Sequence, residues 1–354
     1  MKKSERNLMN KKIKVAILFG GQSPEHSISI ISAINIMNSF DSKIFEVYPY
    51  AITTTNRWLS LNSTKKKLTT NKKINHHTQI LDSHLNEYLD TKDQITNELS
   101  SLDIVFPCIH GKYGEDGQIQ KFLESINIKY VGSNSAASTI CYDKSLTKAY
   151  FKKLKIPQTK YLAMDVSEIK KLELNITNEL SFPCYVKPAR GGSSLGIIRV
   201  ENMMEIYKNI HHVTKIDTKI IIEQEVTGKE IECSVIGNTK IEFAKIGEIK
   251  NPNKFYDFEH KYANKEVELL IPAKIKNNNK EKIFIYAKNA YEAMKLSGLA
   301  RIDFFIDESN NNIFINEINT MPGFTQKSLF PLAWNKSGLN TKDLLTKLIN
   351  YGME

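Results

Sequence analysis

The sequence predicts an α/β protein whose N-terminal part is an open α/β sheet and whose C-terminal half has an α+β arrangement. Residues 13–19 are a short apolar run that stops at Gly20-Gly21, which is typical of a buried strand ending in a glycine turn. Residues 27–39 have a helical pattern, and residues 102–109 form a second apolar run. This order of elements predicts an open α/β sheet, in which polar groups at the strand ends face a ligand crevice.

The length and composition indicate an ordinary globular protein of more than one domain. The chain has 354 residues, of which 41% are hydrophobic and 25% charged. Because this chain is longer than a single hydrophobic core usually supports, we expect two or three domains. The net charge is +10, but the charge is scattered, and the short lysine runs at 2–3, 65–67 and 72–73 have no aromatic interleaving. We therefore expect no nucleic-acid partner.

The cysteine spacing and the apolar runs indicate a cytoplasmic protein. The four cysteines form no Cys-x-x-Cys pair, which argues against a zinc site or a disulfide framework. Residues 1–12 are basic and polar with no apolar run behind them, unlike a secretory signal. Because no stretch approaches the roughly 18 apolar residues that a membrane span needs, we also expect no membrane partner.

The remaining pattern divides the chain into further elements. Residues 60–100 are charged and weakly patterned, and we interpret them as a variable surface region in which His76-His77 is solvated. The sequence predicts helices at 143–153, 280–296 and 340–350, strands at 182–188, 197–200, 219–223, 299–306 and 313–319, and a long loop at 250–262. The predicted domains are 1–133, with a flexible tail at 1–12, then 134–226 and 227–354.

The segment from Arg301 to Asn319 is predicted to be a β-hairpin with chemistry on one face. Two strand patterns flank a turn centred near Asn310. Because side chains alternate along a strand, Asp303 should lie opposite Glu317 and Arg301 opposite Asn319. One face then carries two carboxylates, an amide and a guanidinium.

Carboxylates directly opposite each other on a sheet repel unless a cation neutralises them. Two carboxylates and an amide oxygen suit Mg²⁺, which also takes substrate phosphates as ligands. A solvated face with a surface ion pair is the alternative, but residues 321–328 that follow are suited to holding an oxyanion or a carboxylate. The sequence therefore favours a metal site.

A glycine-serine loop at residues 191–196 follows Lys187 on a predicted strand. Its backbone N–H groups and hydroxyls can close over phosphates, although no Gly-Lys-Ser/Thr makes it a P-loop and a plain turn is the alternative. Lys144 adds a cation, while Glu223 and Glu230 are acceptors suited to adenine and ribose.

Two N-terminal motifs place polar groups at strand ends. Residues 20–27 bring Glu25 there, and residues 110–120 bring His110. A lone glutamate or histidine is more often structural. Gly20-Gly21 does not predict a dinucleotide fold, because the Gly-x-Gly-x-x-Gly spacing and a later ribose-binding acid are missing.

With five such motifs in order, the chain resembles the D-alanine–D-alanine ligases of the ATP-grasp superfamily from about residue 13 to residue 350. The motifs are the Glu25 segment, 110–120, 187–196, 255–262 and 301–328. The resemblance implies an open α/β N-terminal domain followed by a two-lobed ATP-grasp fold. It also implies small-molecule substrates and a homodimer, as is common in the family.

The resemblance implies a two-step reaction. One D-alanine carboxylate attacks the γ-phosphate of ATP to give D-alanyl phosphate, and the amine of a second D-alanine then displaces phosphate. The product, D-alanyl-D-alanine, supplies peptidoglycan precursor synthesis and thereby cell-wall biogenesis and cell shape.

The resemblance also assigns roles to residues. The metal ligands are Asp303, Glu317 and Asn319, which would hold two Mg²⁺ ions or Mn²⁺ in their place. The nucleotide-binding residues are Lys144, Lys187, Ser194, Glu223, Val226, Glu230 and Lys261. The residues at the reacting groups and the amino-acid substrates are Glu25, His110, Ser193, Tyr262, Arg301, Gly323, Ser328 and Leu329.

Within that set, Arg301 and the Gly323 N–H would stabilise the tetrahedral oxyanion. Glu25 would hold the first ammonium, and Ser328 with the Leu329 N–H would hold the second carboxylate. Ser193 and Tyr262 would join Glu25 in latching the loop at 250–262, which excludes water.

Several alternatives stay open. The general base is either Tyr262 or a substrate oxygen. Tyr262 favours the dipeptide product over D-alanyl-D-lactate, yet D-lactate or D-serine remains an alternative acceptor. A nucleotide-binding regulator without activity is a further alternative, as is an NAD-dependent oxidoreductase, which lacks its fingerprint.

Overall fold

The computed structural model describes residues 11–70, 88–89, 91–171, 173–250 and 268–354. These residues form a mixed α/β fold with three sheets, which confirms the predicted fold class. The predictions for the tail, for His76-His77 and for most of the loop at 250–262, including Lys261 and Tyr262, lie outside the described residues.

The first sheet has a parallel centre. β1 lies between β2 and β5 and pairs parallel with both, in the order β4-β3-β2-β1-β5. Its apolar side chains from Val15 to Phe19 are buried, so the predicted first strand and glycine turn are confirmed. The elements of this part are β1 (Ile13–Gly20), α1 (His26–Ser39), β2 (Phe45–Ile52), β3 (Trp58–Leu59), α2 (Leu61–Thr70), β4 (Tyr88–Leu89), α3 (Lys92–Ser100), β5 (Ile104–Cys108), α4 (Gln118–Ser125) and α5 (Ser135–Tyr142).

The interpretation of residues 60–100 as a variable surface region missed two helices, although most of the described side chains there are exposed or half-buried. Helix α2 contacts β2, and α3 buries Leu99 against the sheet core. Helix α3 begins at a capping box, in which Thr91 accepts a hydrogen bond from the Gln94 N–H and the Gln94 side chain accepts one from the Thr91 N–H.

The second sheet is antiparallel, in the order β6-β9-β7-β8, and the glycine-serine loop connects β7 to β8. Helices α7 and α8 supply apolar side chains to its core, including Ile176 and Ile206. The elements are α6 (Lys144–Lys153), β6 (Tyr161–Asp165), α7 (Glu173–Glu179), β7 (Cys184–Pro188), β8 (Ile198–Val200), α8 (Met203–Thr214) and β9 (Lys219–Gln224).

The third sheet carries the predicted hairpin at one edge. Its order is β13-β12-β10-β14-β15, with β11 paired to β10. The elements are β10 (Gly228–Ile236), β11 (Glu242–Phe243), β12 (Gly247–Lys250), β13 (Glu268–Leu270), α9 (Asn277–Ala293), β14 (Leu299–Asp307), β15 (Ile313–Asn319), α10 (Leu329–Lys336) and α11 (Thr341–Met353).

Burial alternates along β14, which separates its two faces. Ile302, Phe304 and Ile306 are buried in a core shared with α9, while Arg301 and Asp303 point to the other face. The division of the chain into domains at 133 and 226 stays a prediction. Among the helices that the structure describes, none has the length and apolarity to cross a membrane.

Candidate active site

The predicted site residues that the structure describes all line one of two adjoining cavities. One cavity has a volume of about 540 Å³ and the other of about 720 Å³. The first is lined by Glu25, His110, Asn319, Gly323, Ser328 and Leu329, and the second by Lys187, Ser194, Glu223, Val226, Glu230 and Asp303. The residues lining both are Lys144, Gly191, Gly192, Ser193, Glu232, Ile249, Arg301 and Glu317.

Glu25 lies where the first sheet meets the glycine-serine loop. Its carboxylate is buried at the start of α1, and its N–H donates to the Ser23 hydroxyl at 3.1 Å. Gly111 has φ +76°, and a Cβ there would lie 2.5 Å from the Ser23 Oγ and 3.2 Å from the Glu25 Oε2. A Cβ on Gly192 would lie 3.6 Å from the same Oε2. Glycine at 111 therefore permits the close approach of two motifs that are far apart in sequence.

His110 is buried with both ring nitrogens engaged. Nδ1 lies 3.1 Å from the Met321 carbonyl oxygen, so this nitrogen donates, and Nε2 lies 3.3 Å from the Ser32 hydroxyl. Burial lowers the pKa of His110, although the Glu25 carboxylate opposes this effect. A neutral imidazole in this position joins the first sheet to the loop after β15.

Glu115 is a buried acid that the sequence did not single out within the 110–120 motif. Its Oε1 lies 3.9 Å from the His110 Nδ1. Burial and the nearby Glu25 carboxylate raise the pKa of Glu115 to about 8. Two acids thus line the first cavity near each other, which favours a cationic group between them.

Glu223 is held by cations in the second cavity. Its Oε2 pairs with Lys187, while its Oε1 accepts from Lys148 and from the Thr159 hydroxyl. Burial alone would raise the pKa of Glu223, but the two ammonium groups hold it at about 2. The carboxylate is therefore a fixed acceptor at the cavity wall.

Lys148 is the member of this cluster that sequence reasoning missed. Its side chain is 0% exposed, a state that lysine tolerates only when it is paired. It stands four residues after Lys144 on α6, so both ammonium groups project from one helix face. This four-residue spacing is the sequence feature from which Lys148 could have been predicted as a second cation of the site.

The glycine-serine loop has an unusual backbone. The φ values are positive at three positions: +53° at Ser193, +59° at Ser194 and +69° at Gly196. Residues other than glycine seldom adopt this region. The Lys144 Nζ donates to the Gly191 carbonyl oxygen at 2.6 Å and lies 3.4 Å from the Glu317 Oε2. Lys144 therefore connects this loop to the hairpin.

The hairpin has the predicted register. Asp303 pairs with Glu317 and Arg301 with Asn319, and a bulge follows at Phe304. The Arg301 guanidinium donates to Asp303 through Nε at 2.8 Å and through Nη2 at 2.7 Å. Burial alone would lower the pKa of Arg301, but the surrounding carboxylates, first that of Asp303, raise it well above its ordinary value.

The donor set on this face fits a hard divalent cation. Asp303 and Glu317 supply carboxylates, and the Asn319 Oδ1 accepts from the Met321 N–H at 2.9 Å with a second lone pair remaining. Within the described ranges, no group of three or more His, Cys, Asp or Glu side chains is placed to hold a metal alone. Mg²⁺ suits such an incomplete set, since it keeps waters and binds substrate phosphates.

The loop after β15 brings backbone donors to the first cavity. A Cβ on Gly323 would lie 2.9 Å from the Ser328 Oγ, so this glycine also permits a close approach. Ser328 stands just before α10, and its hydroxyl accepts from the Thr325 N–H at 3.0 Å. The first N–H groups of α10, including that of Leu329, lack intrahelical partners and favour an anion.

Comparison with known proteins identifies relatives along nearly the whole chain. The family model described as the D-ala D-ala ligase N-terminus matches residues 14–133, and that of the D-ala D-ala ligase C-terminus matches residues 150–350. A D-alanine–D-alanine ligase of Geobacillus thermodenitrificans is 38% identical over 97% of this chain and 96% of its own. One from a Thermoanaerobacter species is 38% identical over 98% of each chain.

Solved structures show the same architecture. The VanG D-Ala:D-Ser ligase from Enterococcus faecalis superposes with a TM-score of 0.84 at 29% identity, covering 97% of this chain and all of its own. The D-alanine-D-alanine ligase from Coxiella burnetii has a TM-score of 0.76 at 29% identity, covering 97% of this chain and 94% of its own.

Proposed function

Since the chain belongs to the D-alanine–D-alanine ligase family and has the ATP-grasp fold, we propose that it joins two D-alanine molecules in its first cavity with ATP bound in the second. The product is D-alanyl-D-alanine for peptidoglycan synthesis. One observation carries the proposal: the two cavities meet at Arg301, Glu317 and Lys144, where a carboxylate from one and a γ-phosphate from the other can react.

The nucleotide site follows from the charges of the second cavity. Lys144 and Lys187 bind phosphates, and the Ser194 hydroxyl and the loop N–H groups around it add donors. The fixed Glu223 carboxylate accepts from the adenine amino group, beside Val226, and Glu230 accepts from the ribose. Lys261, the third proposed phosphate ligand, lies outside the described residues.

The hairpin supports the proposed metal site. Asp303, Glu317 and Asn319 would hold two Mg²⁺ ions, or Mn²⁺ in their place. When bound, these cations neutralise the charge that phosphates and carboxylates bring together. The cationic side chains of the protein, Lys144, Lys187 and Arg301, then contact the phosphates and the reacting acyl group.

The first D-alanine is held by its ammonium at Glu25, which directs its carboxylate to the junction. A carboxylate oxygen attacks the γ-phosphorus, the bond to the bridging oxygen breaks, and ADP leaves with both electrons. The acyl phosphate so formed has a good leaving group. Ser193, Glu25 and Tyr262 would close the loop over it, which limits attack by water.

The second D-alanine is held by its carboxylate at the Ser328 hydroxyl and the Leu329 N–H. Its neutral amine attacks the acyl carbon, and the charge on the carbonyl oxygen is stabilised by Arg301 and the Gly323 N–H. Phosphate then leaves. The proton of the incoming ammonium goes to Tyr262 or to a substrate oxygen, because the His110 Nδ1 already carries a proton and Nε2 faces Ser32.

A second candidate is a ligase that takes D-serine as acceptor. The observation that favours it is the 0.84 TM-score to a structure titled as a D-Ala:D-Ser ligase. Several curated relatives that are 38% identical to this chain are named D-alanine–D-alanine ligases, which keeps D-alanine first. We further propose a cytoplasmic homodimer.

The deciding experiment is ADP formation with D-alanine alone and with D-alanine mixed with D-serine or D-lactate, with the products identified by mass. We expect turnover with D-alanine alone and the dipeptide as the main product in every mixture. No turnover with D-alanine alone would overturn the proposal, and turnover only with D-serine present would select the second candidate.

A further inference from the structure

Three carboxylates stand side by side across three strands of the third sheet. Glu232 on β10 pairs with Asp303 on β14, and Asp303 pairs with Glu317 on β15. Because directly paired residues point to the same face, all three acids share it. Neither the sequence pattern nor the family motifs singled out Glu232.

Arg301 is the guanidinium between the first two of these acids. Its Nε lies 2.8 Å from the Asp303 Oδ1 and 3.4 Å from the Glu232 Oε1. The Glu232 side chain is 8% exposed, and that of Arg301 is 19% exposed. A charge pair with so little solvent exposure is screened weakly and fixes the direction of the guanidinium.

Glu232 is not placed as a metal ligand. The three carboxylates do not converge, since the described residues contain no group of three acidic, His or Cys side chains able to hold a metal. Glu232 lines both cavities, as Arg301 and Glu317 do. Glu232 therefore lies where it can pair with Arg301 at the junction of the two cavities.

We propose that Glu232 is a positioning residue, which keeps Arg301 aimed at the junction when Asp303 binds the metal. The inference rests on the proposed roles of Arg301 and Asp303. In the structure Arg301 donates to both Asp303 oxygens, so the guanidinium and a bound cation would compete for the same carboxylate. Glu232 offers the guanidinium a second carboxylate, so that Arg301 can release Asp303 without leaving the site.

Two effects should follow from Glu232→Gln. Arg301 loses its second carboxylate and pairs with Asp303 alone, so a cation must compete harder for Asp303. The guanidinium is also less well directed at the oxyanion. We expect Mn²⁺ affinity and kcat each to fall by about 10-fold or more, the usual scale for residues that orient a ligand, with little change in KM for ATP.

The test measures Mn²⁺ binding by electron paramagnetic resonance with a non-hydrolysable ATP analogue, alongside steady-state kinetics. Glu248→Gln is the matched control, because Glu248 is equally buried in the same sheet and pairs with Lys229. Glu232→Asp keeps the charge and should recover part of both losses. Thermal unfolding of each variant checks the fold.

Wild-type Mn²⁺ affinity and kcat in Glu232→Gln would overturn the proposal, as would equal losses in Glu232→Asp and Glu232→Gln. Losses of the same size in Glu248→Gln would also overturn it, because they would indicate a general effect of sheet charge. These outcomes differ from a failure of the proposed function, in which the wild-type protein itself does not turn over D-alanine.

Discussion

Two charge clusters flank the junction of the cavities, one buried and one half-buried, and they have opposite balances of charge. In the nucleotide cluster, the single carboxylate of Glu223 lies between the ammonium groups of Lys148 and Lys187. In the hairpin cluster, the carboxylates of Glu232, Asp303 and Glu317 share one sheet face with one guanidinium.

This difference agrees with the ligand that we propose for each cluster. A surplus of positive charge next to a glycine-serine loop favours phosphates, whereas a surplus of carboxylates on a buried face favours a cation. Mg-ATP carries both charges, so it complements both clusters when it lies between them. The predictions below remove one charge or contact at a time, from the largest expected effect to the smallest.

Replacing Lys148 by Met should give the largest effect, because it leaves Glu223 buried with only one of the two ammonium groups that pair with it among the described residues, that of Lys187. We expect a loss of about 3 kcal/mol in the free energy of unfolding, at the low end for breaking a buried ion pair. Urea denaturation measures it, with the exposed Lys153→Met on the same helix as control. A loss below about 1 kcal/mol would contradict the account.

The same variant should also change how the free energy of unfolding depends on pH in acid. Glu223 has a pKa of about 2 in the folded protein against an ordinary 4.5, so its contribution is complete above pH 4.5 and is lost as the pH falls toward 2. Without Lys148 the folded pKa rises. We therefore expect a smaller loss of stability across this window in Lys148→Met, measured by denaturation at each pH, and an unchanged loss would contradict the pairing.

Replacing Glu317 by Gln tests the acid-rich cluster. We expect kcat to fall at least about 100-fold, since a group that stabilises charge in the reaction is lost. Asp307→Asn, at the turn end of the same hairpin, is the control for a change of charge. Turnover close to that of the wild type would remove Glu317 from the metal site.

Ser328 belongs to neither charge cluster, so replacing it measures the effect of losing an uncharged contact with the substrate. Ser328→Ala should raise KM for the second D-alanine by about 10-fold, the effect of one lost hydrogen bond, while KM for ATP stays unchanged. Ser337→Ala beyond the other end of α10 is the control. An equal rise in KM for ATP would argue against a specific contact.

The smallest effect is expected where charges are exposed. Lys288 and Glu292 lie one turn apart on α9 at 3.8 Å, with side chains 56% and 52% exposed. Glu292→Gln should change the free energy of unfolding by less than about 0.5 kcal/mol. A change as large as that of Lys148→Met would mean that burial does not determine how much an ion pair contributes to the free energy of unfolding.

The hairpin could be predicted from the sequence because local rules decide it. Side chains alternate along each strand, and the turn centred near Asn310 brings the two strands together close to the predicted register. The bulge between Asp303 and Phe304, which the sequence did not predict, completes the pairing of Asp303 with Glu317 and of Arg301 with Asn319. The Glu25 and His110 motifs were found for a similar reason. Each follows a short apolar run that forms a strand of the first sheet.

The residues that sequence reasoning missed depend on contacts between distant segments. Lys148 and Glu223 are 75 residues apart, and Glu232 joins the hairpin face only because β10 pairs with β14. The spacing from Lys144 could have pointed to Lys148, but no local pattern reports its pairing with Glu223 or the place of Glu232 beside the hairpin. The helix at Lys92–Ser100 is different, because its capping box was readable at Thr91 and Gln94.

The central claim is that ATP activates one D-alanine by phosphorylating its carboxylate. It is tested most directly by supplying D-alanine labelled with ¹⁸O in both carboxylate oxygens and analysing the released phosphate by ³¹P NMR. We predict one ¹⁸O atom in each phosphate, since the attacking oxygen stays on phosphorus when the amine displaces it. Unlabelled phosphate released together with the dipeptide would contradict the account.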